Sequence, residues 1–181
     1  MPITADHIRA TLAAYIDEYP QDKADLGLPL ALLDSGAELT SRKEFHGHAT
    51  AGAVLVNEHG QALFIHHVAL DKWLTPGGHL EAKDATLRAA ALRELTEETG
   101  IPPEAVTLAG EGPVHIDVHP IPENPAKGEP DHLHIDFRFV FRTTGGELVT
   151  LQEEEVSGYT WRPVGSIADD RLRARVEALI A

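Results

Sequence analysis

The sequence of 181 residues predicts an α+β fold: an α/β/α sandwich with a mixed β-sheet, preceded by an N-terminal helical extension. Three observations predict it. Segments of helical period are interspersed with segments of period two along the chain. Two of the period-two segments are apolar on one face and crowded with His, Asp and Arg on the other. Upstream of that pair, a helix places Glu94, Glu97 and Glu98 on one side, between Pro76-Gly77-Gly78 and Gly100.

The elements follow in order. Thr4 can N-cap a helix over about 5–19, in which Ile8, Leu12, Tyr15, Ile16 and Tyr19 recur at helical spacing. A short helix around 28–33 follows and ends near Gly36. Residues 1–40 are read as the extension, a helical cap packed on a domain that spans 41–181. Strands are expected at about 48–56 and 61–67, joined through the Glu58-His59-Gly60 turn. Trp73-Leu74 leads into the glycine segment, which reads as a tight turn, and Gly100 stops the acidic helix. Further strands are expected near 106–108, 113–119, 132–142 and 159–163. Asp169 or Asp170 then caps a last helix with Leu172, Val176, Leu179 and Ile180 inward.

Composition bounds the function. The balance of 15 basic against 29 acidic residues gives a net charge of −14, which repels polymeric nucleic acid and anionic membranes. No apolar run approaches the roughly 18 residues of a membrane span, and no signal-like segment precedes the first helix, so a cytoplasmic protein is expected. The chain has no Cys, which excludes thiolate metal sites and cysteine nucleophiles.

On a helix, taking Glu94 as origin, Glu98 falls about 40° to one side and Glu97 about 60° to the other. Like charges at these spacings cost roughly 0.2–0.5 kcal/mol per pair even in water, so the helix gains nothing from them alone. A hard divalent cation reverses that sign, because Mg²⁺ takes oxygen ligands and bridges carboxylates to substrate phosphates. Solvated acidic runs are common, but here Leu87, Ala90 and Ala91 border the glutamate sector, which is therefore not a purely solvent-facing stripe.

Arg93-Glu94-Leu95-Thr96-Glu97-Glu98-Thr99-Gly100-Ile101 resembles the second half of the Nudix box without a mismatch. The first half departs from that pattern. Six residues after Gly78 stands Asp84 rather than Glu, and the interval from Asp84 to Arg93 is one residue longer than the box prescribes. The resemblance implies a Nudix hydrolase domain over 41–181 and hydrolysis of a phosphoanhydride bond in a nucleoside diphosphate linked to another group. It implies Mg²⁺ as cofactor, with Mn²⁺ as substitute, held by Gly78, Glu94, Glu97 and Glu98. Glu94, Glu98 and Arg93 are the implied catalytic residues, and Asp84 is the stand-in for the loop glutamate that orients the arginine. A further acid is expected before a strand ending in Trp, which maps onto Glu153-Glu154-Glu155, with Glu155 and Glu154 the favoured residues. The partner is a small nucleotide-derived diphosphate, and the N-terminal extension makes a homodimer a candidate assembly.

The second polar feature is the strand pair. His115, Asp117 and His119 alternate with apolar residues, as do His132, His134, Asp136 and Arg138 on the partner strand. A solvated outer face explains any single histidine. The density of polar groups favours a substrate-binding face, with His115, His119, His132, His134 and Arg138 offering charge-assisted hydrogen bonds to a diphosphate or leaving group. A competing version is an additional transition metal held by His and Asp. The connection 120–131 reads as a substrate-facing loop. His66-His67 carries little weight, and His79 is left out of the ligand set. Beside the hydrolase, a non-catalytic Nudix-like module that binds a nucleotide as a sensor is the reading from another class, supported by the displaced Asp84.

Overall fold

A computed structural model describes residues 2–143, 149–152 and 156–181. Among them, helices α1 (Ala5–Glu18), α2 (Gly27–Asp34), α3 (Leu87–Thr99) and α4 (Asp170–Ile180) surround strands β1 (His48–Val56), β2 (Gln61–His67), β3 (Lys72–Leu74), β4 (Gly77–His79), β5 (Val106–Ala109), β6 (His115–Ile121), β7 (His132–Thr143) and β8 (Val156–Pro163). The strands join one mixed sheet, and among the described residues its only parallel pair is β1 with β7, in register from His48↔His134 to Val56↔Arg142. Along its other edge β1 meets β4 near its start and β2 at its end. On the outer edge of β7, β6 pairs from His115↔Arg138 to Ile121↔His132.

The alternation of β1 builds two cores. Ala49, Ala51, Ala53 and Leu55 face α1, α2 and α3, where Ile8, Leu12, Leu33, Leu87, Ala90, Ala91 and Leu95 are buried in one cluster. Val54 and Val56, on the opposite face, pack with Val140 against Leu172 and Val176 of α4. This is the expected helix–sheet–helix layering. The expected caps form: Thr4 accepts from His7 and Asp169 from Leu172, and Gly100 closes α3 with φ 67°; Thr86, which accepts from Ala89, caps the start of α3 in addition.

Two expectations are corrected. The Gly77-Gly78 segment is a strand rather than a tight turn, with Gly77↔Gly52 and Gly78↔Ala51 paired antiparallel to β1. Neither glycine has positive φ; they are required by close approach, because a Cβ on Gly77 would lie 2.8 Å from Gly52 Cα. A three-residue strand without side chains at two positions leaves no period-two signal. The first part of the 120–131 connection is likewise strand, since β6 continues through Pro120↔Leu133. Proline is tolerated there because β6 is an edge strand and needs no outward N–H.

Candidate active site

Both polar groups are positioned by β4. Gly78 pairs with Ala51 and so faces α3, whereas His79 pairs with Thr50 and faces the opposite side of the sheet. On the α3 side the carboxylates sit directly beneath β4. A Cβ on Gly78 would stand 2.7 Å from Glu94 Oε1, so the absent side chain is the space that the Glu94 carboxylate occupies. The Gly77 N–H donates to Glu98 Oε2 at 2.9 Å, and Glu98 is 3% exposed.

Arg93 ties this set together. Its Nε and Nη2 donate to the two carboxylate oxygens of Asp84 at 2.9 and 3.0 Å, a bidentate fork. Nη1 donates to Glu94 and Glu97, each at 2.8 Å, and Nη2 also reaches the His79 carbonyl at 2.8 Å. Burial works against the Arg93 charge, but Asp84 and the two glutamates outweigh it and hold the guanidinium firmly protonated. Burial raises the Asp84 and Glu97 carboxyls, and this is overcome by Arg93 for Asp84 and by Lys83 and Arg93 for Glu97, so both lie below their ordinary values. The loop that carries Asp84 is itself braced by the N-terminus: Ile3 N–H donates to the Asp84 carbonyl at 3.1 Å, and Leu87 N–H donates to His7 Nε2 at 3.3 Å.

Across β4 the polar face reads, from one edge to the other, His79, then His48 and Thr50, then His134, Asp136 and Arg138, then His119, Asp117 and His115. Thr50 donates to Asp136 at 3.1 Å, Arg138 donates to the same carboxylate at 2.9 Å, and His119 Nδ1 lies 2.7 Å from Asp117. The imidazoles gather at the β4 end, where the His48 ring centroid is 5.1 Å from that of His79 and 4.9 Å from those of His132 and His134. Burial pushes His79 down to about 4 and His134 down to about 3, with neighbouring positive groups adding to it, and burial lowers His48 as well.

A family model described as the NUDIX domain matches residues 46–181. The chain belongs to this family. A probable DHNTP pyrophosphohydrolase of Lactococcus lactis is 33% identical over 105 residues, covering 58% of this chain and 55% of the relative. The matched region thus spans only about half the length of that curated relative. Among solved structures, a C. elegans Ap4A hydrolase aligns with TM-score 0.56 and 19% identity, covering 73% of this chain and 96% of the other. The E. coli dihydroneopterin triphosphate pyrophosphohydrolase aligns with TM-score 0.55 and 18% identity, covering 73% and 94%. At these identities the two structures establish the Nudix fold.

Within that fold the structure brings Gly78, Arg93, Glu94, Glu97 and Glu98 together, and adds Asp84 to them. Carboxylate oxygens gathered beneath β4, with Glu94 filling the space that a Cβ on Gly78 would take, fit a hard cation. Glu153, Glu154 and Glu155 lie outside the described residues; the flanking Gln152 N–H points to the Glu98 carbonyl at 3.5 Å. His119, His134 and Arg138 share the half-buried part of the polar face, and His132, stacked on His48, is buried. His115 is separated from them: it is 5% exposed, with Asp169 of the α4 cap 3.5 Å from its Nε2 and Arg175 3.5 Å from its Nδ1. Sequence reasoning missed His48 and His79. His48 shares the parity of Thr50 in β1, but only the β1–β7 register brings it beside His134.

Proposed function

We propose that this Nudix protein catalyses Mg²⁺-dependent hydrolysis of a phosphoanhydride bond in a nucleoside diphosphate linked to another group. The observation that carries this reading is the Glu94–Glu97–Glu98 set beneath β4, with Glu94 and Glu97 held by Arg93, Glu94 seated under Gly78 and Glu98 held by the Gly77 N–H. Gly78, Glu94, Glu97 and Glu98 would hold the ion, with Mn²⁺ as substitute. When bound, Mg²⁺ supplies charge neutralisation of the diphosphate and a lowered pKa for a coordinated water. The chain contributes position: Arg93 fixes Glu94 and Glu97, and the Gly77 N–H fixes Glu98. Glu94, whose carboxylate fills the Gly78 cradle, is assigned to proton acceptance and Glu98 to metal binding, with Glu155 as an additional acid.

On the opposite face we assign Arg138, His119 and His132 to the substrate group beyond the diphosphate. We also assign residues 1–40 to an extension of the 41–181 domain, in which α1 braces the Asp84 loop. The fork that the displaced Asp84 makes to Arg93 supports the hydrolase reading over the sensor reading.

The test is a panel of nucleoside diphosphate derivatives, with dihydroneopterin triphosphate and Ap4A included because relatives are named for them, assayed with and without Mg²⁺ and with products identified by mass. Cleavage at a phosphoanhydride that disappears without divalent metal supports the proposal. Metal-independent cleavage, or tight nucleotide binding without turnover, overturns it.

A further inference from the structure

His48, His79 and His134 each offer one ring nitrogen such that the three atoms lie within 4.8 Å of one another. They come from three strands, β4, β1 and β7, that are fixed by continuous pairing. The second observation is an orphan. His48 is 1% exposed, its Nδ1 lies 3.1 Å from the Glu44 carbonyl and must donate to it, and its Nε2 finds no hydrogen-bond partner. A buried nitrogen lone pair that is left unmatched costs free energy, roughly 1–3 kcal/mol in general, unless something electrophilic meets it. A backbone carbonyl fixing one ring nitrogen so that the other presents its lone pair is the usual outer support of a metal-binding histidine. His132 is fixed in the same way but its second nitrogen is matched: Nδ1 donates to the Pro130 carbonyl at 2.8 Å, and Nε2 accepts from His134 Nε2 at 3.3 Å, which leaves His134 Nδ1 as its free lone pair.

We propose that His48, His79 and His134 form a second metal site, which binds a divalent transition-metal ion of the Zn²⁺ or Co²⁺ kind, back to back with the carboxylate set across β4. Three neutral imidazoles select borderline cations over Mg²⁺, which prefers oxygen. Zinc–nitrogen bonds of about 2.0–2.1 Å set ligand nitrogens about 3.4 Å apart in a tetrahedron, so the triad needs only a modest inward closure. Three protein ligands leave a fourth coordination position for water or another donor. The assignment moves His134 from the substrate to the metal and leaves His119, His132 and Arg138 to the substrate. It does not depend on the proposed hydrolysis.

The experiment uses untagged, chelator-stripped protein in excess Mg²⁺, titrated with Co²⁺ and followed by visible absorption, then with Zn²⁺ by calorimetry. One equivalent of each ion should bind, with tetrahedral Co²⁺ bands that Zn²⁺ abolishes. His79→Gln and His134→Gln should each weaken binding by at least about tenfold. The double variant Glu97→Gln/Glu98→Gln should bind both ions as the wild type does, whatever happens to turnover. His79 and His134 are only partly buried, so they carry the test if the fully buried His48 proves intolerant of change. Wild-type affinity in both histidine variants, or loss of binding in the glutamate variant, overturns the site.

Discussion

The two faces of β4 gather polar groups in opposite ways. Beneath Gly78 the groups are charged, and the charge is balanced within the protein: Arg93 and Lys83 answer Glu97, Arg93 answers Asp84 and Glu94, and a backbone N–H answers Glu98. Beside His79 the imidazoles are held neutral by burial, and their lone pairs are only partly matched. The difference teaches what each face is suited to hold. Compensated carboxylates would keep the proposed hard-cation site folded before an ion arrives. Uncompensated neutral nitrogens are stable without a counter-charge and await a softer partner.

The largest expected effect separates the faces outright. Glu98→Gln keeps volume and the hydrogen bond from Gly77 but removes a ligand charge. Lost metal-assisted stabilisation of several kcal/mol corresponds to at least about a hundredfold in kcat. Turnover measured against Mg²⁺ concentration should fall by that much while the melting temperature and the Co²⁺ titration stay near wild type. Undiminished kcat would remove Glu98 from the site.

Asp84 tests how the carboxylate face is balanced. The Asp84 side chain is 3% and the Arg93 side chain 11% exposed, so Asp84→Ala leaves a largely buried guanidinium with one of its partners gone. Breaking a buried pair costs about 3–5 kcal/mol when the remaining charge is uncompensated. Glu94 and Glu97 still face Arg93, which places the expected loss of unfolding free energy at about 1–3 kcal/mol, read from urea melts. Asp84→Glu should also destabilise, because the loop is already one residue longer and an extra methylene overfills the fork.

What the sequence showed and hid follows the same division. Glu94, Glu97 and Glu98 are three and four residues apart on one helix, so local period alone brought them together, and Gly100 marked the stop. The fork from Asp84 to Arg93 was legible only as a displaced acid, because its geometry depends on a loop conformation. The layered fold was legible because Ala49–Val56 is a continuous run of small and apolar residues, as in a strand buried on both faces, Leu133–Phe139 alternates clearly, and Ile8, Leu12 and Tyr15 mark one helix face. The histidine triad was not, since its members are 31 and 55 residues apart, 48 to 79 and 79 to 134, and only strand register unites them. His115 shares the period of His119 yet lies under α4, and no local pattern says how far a distant helix covers a sheet.

The adjacent glycines of β4 give a smaller and sharper contrast. At Gly78 a methyl group would meet the Glu94 carboxylate at 2.7–2.9 Å, the far end of a flexible side chain. Gly78→Ala should therefore fold normally and lose roughly tenfold or more in kcat as Glu94 is pushed aside, since small displacements of a positioned group carry penalties up to about a hundredfold. At Gly77 the clash is with backbone, Gly52 Cα at 2.8 Å and Ala51 O at 3.0 Å. Gly77→Ala should instead lose about 1–3 kcal/mol of stability, as overpacking does. Equal stability in the two variants would contradict the difference between the two contacts.

The last contrast is a pH dependence that belongs to the histidine face. An unfolded histidine titrates near 6.5, as a general value, whereas folded His79 is pushed down to about 4 and His134 to about 3, with His48 and His115 also lowered. Between those values the unfolded chain binds more protons than the folded one, so stability rises with pH there. The contribution is complete above about pH 6.5 and is lost as pH falls toward 4 and then 3. Carboxylates held below their ordinary values, Asp84 and Glu97 among them, act in the same direction but only once pH falls below roughly 4.5. The interval from pH 6.5 to 5 therefore isolates the imidazoles. Metal-free protein should melt at progressively lower temperature across it, and His134→Gln should flatten that slope while Glu97→Gln leaves it unchanged. A wild-type melting temperature that is constant from pH 6.5 to 5 would mean that these rings accept protons in the folded state, and the neutral character of the face would fall with it.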